Sequence, residues 1–166
     1  MKKTLIFLLL ISLISCEEKD DLLGMNFDEE TYNENRNLWQ ESGILNYTFS
    51  QEYFSTSVGG QPELNTIVRN NELDNIIIKS SGEDITSDEL IYYDNITDLY
   101  DFIDSVVKDG NEQINSSDKA MKGAIIDVEY DETYHYPTKI SCSGYYPEGY
   151  LGGLSITIFV NDFQID

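Results

Sequence analysis

His135 is the only histidine in the chain, and it stands in an aromatic stretch, Tyr130-Asp131-Glu132-Thr133-Tyr134-His135-Tyr136-Pro137. A lone imidazole needs a nucleophile or further ligands at set spacing to do chemistry. The sequence holds no Gly-x-Ser-x-Gly, His-Glu-x-x-His, phosphate-binding glycine loop or zinc-type cysteine spacing. It is therefore read as non-enzymatic, with no cofactor. A second aromatic run is Tyr145-Tyr146-Pro147-Glu148-Gly149-Tyr150. Tyrosines offer a rigid apolar face and a polar tip, which suits sugars and protein partners. Tyr134, His135, Tyr136, Tyr145, Tyr146 and Tyr150 are thus the candidate binding residues, against the alternative that both runs are packed corners. Asp127, Glu129 and Asp131 alternate on one strand face. A straight strand splays such carboxylates about 7 Å apart, while calcium needs six to eight converging oxygens, so no metal site is expected. With 31 acidic residues a glycosidase-like carboxylate pair is always available and never specific. A hydrolase of envelope or other polysaccharide, with an unassigned pair, is the alternative function.

The two cysteines have separate fates. Met1-Lys2-Lys3, an apolar run from Thr4 to Leu13, and small Ser15 before Cys16 form a secretory leader too short to span as an anchor. Leu13-Ile14-Ser15-Cys16 resembles a bacterial lipobox. That resemblance implies cleavage between Ser15 and Cys16 and acylation of Cys16, which would anchor the chain in a lipid membrane. Lys19, Asp20 and Asp21 just beyond resemble the lipoprotein export signal of Bacteroidota, which implies an outer-membrane address with surface display; a plain charged tether is the alternative. Once Cys16 is acylated only Cys142 remains. No intramolecular disulfide is then possible, and Cys142 reads as a half-buried structural thiol.

Ten basic residues face 31 acidic ones, and removing Lys2 and Lys3 with the leader leaves 8, taking the net charge from −21 to −23. Nucleic acid and anionic headgroups are poor partners for such a surface. An envelope protein or a glycan is the expected partner.

Three segments follow: a signal peptide at 1–15, an acidic tether at 16–32 and one domain at 33–166, large enough to bury a single core. Asn33 is placed to cap a short helix carrying Leu38 and Trp39, which Gly43 ends. Leu45, Tyr47, Phe49 and Tyr53 alternate as a half-buried strand. Strands near 63–69 and 75–80 form a hairpin across Asn70-Asn71-Glu72. Asn95 caps the clearest helix, with Ile96, Leu99, Ile103 and Val106 on one stripe and Gly110 as its stop. Strands near 124–130, 138–143 and 154–163 complete the order helix, three strands, helix, three strands. This predicts an α+β fold with a mostly antiparallel sheet of about six strands and two helices on one face.

Val128-Glu129-Tyr130-Asp131-Glu132-Thr133-Tyr134-His135-Tyr136-Pro137-Thr138-Lys139-Ile140 is similar to the tail signature V-x-Y-D-x-x-Y-G-Y-P-T-x-I of a family of small bacterial lipoproteins classed as a domain of unknown function. Trp39, Tyr47 and Phe49 match its opening, and Ile96, Leu99, Phe102 and Ile103 its central helix, so the likeness spans about residues 36–163. Here His135 replaces the usual glycine. The cysteine pair often found after the first strand is missing around Tyr53-Phe54-Ser55, which removes any disulfide that the resemblance would imply.

Overall fold

A computed structural model of the chain describes residues 24–85, 90–116, 121–149, 153 and 155–166. In chain order the elements are β1 (Gly24–Phe27), α1 (Glu29–Ser42), β2 (Tyr47–Ser55), β3 (Gly59–Gly60), β4 (Leu64–Arg69), β5 (Glu72–Ile78), α2 (Ile96–Ile114), β6 (Gly123–Tyr130), β7 (Pro137–Tyr145) and β8 (Ser155–Ile165). The fold is α+β, one compact domain with a mostly antiparallel sheet. Eight strands stand where six were expected among the described residues. The two additions are short: β3 pairs only with the end of β2, and β1 lies parallel to β6.

Helix boundaries follow from local chemistry. The Asp28 carboxylate accepts the Thr31 amide at 3.0 Å and caps α1, with Glu29 and Glu30 stabilised in the positive first turn. This corrects the expected start at Asn33. It also corrects the tether, because β1 and the first turn of α1 fall inside residues 16–32 and belong to the domain. Gly43, at φ +63°, ends α1 as expected. Asn95 caps α2 by accepting the Asp98 amide at 3.0 Å. Gly110 does not stop α2, which runs on to Ile114. A Cβ at Gly110 would lie 2.5 Å from the Met25 methyl, so the missing side chain lets β1 pack against the helix.

The sheet runs β1-β6-β7-β8-β2-β4-β5. Each helix is followed by an up-and-down trio of strands, β2-β4-β5 and β6-β7-β8, and the trios join where β8 pairs antiparallel with β2. The β4–β5 hairpin turns on Asn70 and Asn71 at φ 54° and 61°, the left-handed pair that two-residue hairpins require. In the β2–β8 pairing, Thr48 opposes Gln164 and Ser50 opposes Asn161, so β8 carries one extra residue. Asp162 absorbs it at φ 51°. The bulge shifts the alternation beyond Val160 and brings Phe163 to the helix-covered face. There it packs within 6.0 Å, centroid to centroid, of Trp39, Tyr47, Tyr134 and Tyr136.

The core lies between the two helices and one sheet face, around Trp39, Tyr47, Phe49, Leu99, Tyr100, Ile103, Ile140 and Ile158. The Tyr47 hydroxyl accepts the Ile96 amide at 3.0 Å, fastening the start of α2 to β2. Leu45, predicted on the inward face of the second strand, precedes β2 and is exposed. The opposite sheet face is uncovered and includes Ile125, Asp127, Glu129, Ser141, Thr157 and Phe54.

Burial raises the Cys142 thiol from 9.0 to about 12, and Tyr47 and Tyr136 from 10.0 to about 12 each. The native fold therefore keeps protons that the unfolded chain releases above about pH 9, and stability falls as pH rises from there toward 12. Denaturant midpoints should be flat from pH 7 to 8.5 and decline steadily above pH 9. Replacing Cys142 with alanine should remove the earliest part of that decline relative to the variant's own neutral-pH stability. An unchanged midpoint at pH 10.5 would contradict this.

Candidate functional site

The structure separates the two tyrosine-bearing segments. The 131–136 turn precedes β7 and Tyr146 follows it, so they sit at opposite ends of a nine-residue strand. At about 3.3 Å per residue that is a separation of about 26 Å. They form no common surface.

The first segment is a tightly bonded corner. One Asp131 carboxylate oxygen accepts the Thr133 and Tyr134 amides at 2.9 and 2.7 Å, and the Asp131 carbonyl accepts the His135 amide at 3.0 Å. His135 sits at φ 64°, in the region that favours glycine. Its carbonyl accepts the Tyr100 hydroxyl from α2, and its Nδ1 lies 3.2 Å from Asn35 Oδ1 on α1. Tyr136 is buried and stacks on Phe163 at 4.4 Å, while Tyr134 leans on the same ring at 5.5 Å and stays partly exposed. His135 thus joins both helices to the turn, and Tyr136 packs into the core against β8.

Beside this corner the two helices are tied by a polar knot. The Tyr32 hydroxyl donates to Asp104 Oδ1 at 2.6 Å and accepts from Arg36 Nη1 at 3.0 Å, and Arg36 also pairs with Asp101 at 3.1 Å and with Asp104. Tyr32 is pushed strongly upward, first by burial and then by its bond to Asp104. Tyr130 stacks near Tyr100, and its buried hydroxyl has no hydrogen-bond partner among the described residues. It lines a cavity of about 110 Å³ with Asp28, Thr31 and Asp127.

At the other end of β7, Tyr145 is exposed and the Tyr146 ring lies over Gly144 and Gly153, where a Cβ would come within 2.9 and 3.3 Å of it. Tyr146 forms part of the wall of a cavity of about 140 Å³ beneath the C-terminal half of α2. Gly110, Ala124, Cys142 and Gly144 leave this space because small residues face one another across helix and sheet. Its size is close to that of the roughly 150 Å³ apolar cavity known to hold benzene. Cys142, raised to about 12 by burial alone, remains a protonated thiol there and supplies no nucleophile near neutral pH. Sequence reasoning found Cys142 and Tyr146 singly but had no signal for the void between them.

The acidic strand residues are otherwise engaged. Glu129 pairs with Lys139 at 2.6 Å and Asp131 is spent on its turn, and no cluster of three metal-ligating side chains occurs among the described residues. Ser15, Cys16, Lys19, Asp20, Asp21 and Tyr150 lie outside the described residues.

Residues 31–145 match the model of DUF6174, a family of unknown function, and the chain belongs to that family. No curated protein and no solved structure matches it.

Substitutions at the corner should read out as stability. Tyr100→Phe, which removes the bond to the His135 carbonyl, should cost about 1 kcal/mol. His135→Gly, which relieves the left-handed backbone, should hold or raise stability by up to about 1 kcal/mol. Tyr130→Phe should stay within about 0.5 kcal/mol, since its hydroxyl has no partner to lose. Urea denaturation of the three variants checks this. A Tyr130→Phe loss as large as that of Tyr100→Phe would mean that the small cavity holds a polar group bonded to Tyr130.

Proposed function

We propose that this protein is a membrane-anchored envelope lipoprotein whose domain works as a non-catalytic binding or interaction module. The observation that carries the reading is Leu13-Ile14-Ser15-Cys16 behind a basic, then apolar leader. Acyl chains on Cys16 supply the attachment, because a domain of this charge gains nothing from anionic headgroups. No helix among the described residues is long and apolar enough to cross a membrane. The address is the outer membrane, with Lys19, Asp20 and Asp21 directing display at the cell surface. Support for binding over catalysis comes from the larger helix-covered cavity, whose lining is mostly apolar, with Asp109, Gln113, Ser143 and a protonated thiol among it. The partner is an envelope protein or a glycan.

A Cys16→Ala variant should lose the lipid-sized mass increment and leave the membrane fraction or accumulate with its leader uncut. Wild-type protein cut elsewhere and free of lipid would overturn the anchor. Replacing Lys19, Asp20 and Asp21 together by alanine should abolish digestion by protease added to intact cells while membrane attachment persists. Undiminished digestion would leave those residues as a tether only.

A further inference from the structure

We propose that the uncovered sheet face, where β2 ends and β8 begins, binds a neutral polysaccharide; the proposal rests on the binding-module reading and names its ligand class. The site is a shallow cleft of about 250 Å³ whose walls include Phe54, Thr56, Gly60, Ser155 and Thr157, with no charged side chain among its lining residues. In a protein of net charge −21 the cleft is a neutral patch, on a face whose β6 side carries Asp127, opposite Ser141, and Glu129. A polyanion meets repulsion from the molecule as a whole, and a polycation finds better sites at the exposed acidic residues elsewhere. An uncharged, hydroxyl-rich chain suits this surface.

Register sets the contact geometry. Ser141, Thr157 and Phe54 face each other across β7, β8 and β2, and Ser143 and Ser155 form the next row. Neighbouring strands hold these side chains about 4.8 Å apart, and successive rows are about 6.6 Å apart. The hydroxyls of Ser141, Ser143, Ser155 and Thr157 make no hydrogen bond to any described residue, so each has donor and acceptor capacity left for a ligand. At the edge of this array Phe54 is 42% exposed. Its ring lies directly on Gly60, where a Cβ would come within 2.7 Å, and meets Phe159 edge-on at 6.3 Å. The ring is thereby held in place before any ligand arrives, which spares the ordering cost of binding. A cleft below the roughly 300 Å³ at which drug-sized pockets begin accepts one ring of a chain. The flanking hydroxyl rows contact the neighbouring units. This surface shares no residue with the 131–136 corner and meets the cavity under α2 only at Ser143.

The test is affinity electrophoresis of the full chain through gels containing dextran, a mixed-linkage β-glucan or neutral xylan, with alginate as the anionic control. At least one neutral polymer should retard the protein and alginate should not. Phe54→Ala should weaken retardation at least tenfold with a melting temperature within a few degrees of wild type. Should Phe54→Ala unfold, Thr157→Asp and Ser141→Asp, both on the open face, should give the same loss with the fold intact. Retardation by none of the neutral polymers, equal retardation of the folded variants, or preference for alginate would overturn the proposal. Running Cys16→Ala alongside separates this result from the anchor, and cross-linking in intact cells tests the wider binding reading independently. A captured protein partner with no glycan retention would keep that reading and sink this one.

Discussion

The pairing of β8 with β2 holds the architecture together. Each helix leads its own three strands, and the main hydrophobic core draws its residues from both halves. The seam makes the two trios one sheet, so that Trp39 and Tyr47 from the first half share a core with Phe163 and Tyr136 from the second. The bulge at Asp162 belongs to that seam. Were β8 to continue in regular alternation past Val160, Phe163 would turn to the solvent face, and the aromatic cluster would lose the ring that touches four of its members. Asp162 is also held from outside, by Lys79 at 2.6 Å and the Ser50 hydroxyl at 3.2 Å, so the kink is braced from β2 and from the residue that follows β5.

The motif that stands out in the sequence, Tyr130 to Pro137, gains its physical explanation from this arrangement. Its aspartate closes a turn, its left-handed residue exposes a carbonyl that α2 grips, and its tyrosines fill the space around Phe163. Those contacts give the stretch a part in folding. Unspent hydrogen-bonding capacity lies more on the open sheet face than at the aromatic corner.

Much of the fold was legible in the chain. The alternation of Tyr47, Phe49 and Tyr53, the stripe of Ile96, Leu99 and Ile103, and the Asn95 cap are local signals whose period or hydrogen bond is written in neighbouring residues. What was missed depends on distant partners. Gly110 reads as a helix stop because its use, admitting Met25, belongs to a strand more than eighty residues earlier. The start of α1 was placed at Asn33 because Asp28 was lost in an acidic run that looked like a tether. The bulge at Asp162 has no sequence mark at all, since it exists only in register with β2. The cavity beside Cys142 is likewise a product of small residues from three separate elements, and tyrosine clustering pointed to its rim without disclosing its floor.

That the seam is made by the last strand carries a kinetic consequence. β2 emerges early and must wait for β8, more than one hundred residues later, before the sheet can join. Contacts so far apart in sequence make for slow closure, because loop entropy is paid before the pairing rewards it. During synthesis β2 has no seam partner until β8 has been made, so the joined sheet is among the later features of the fold to close.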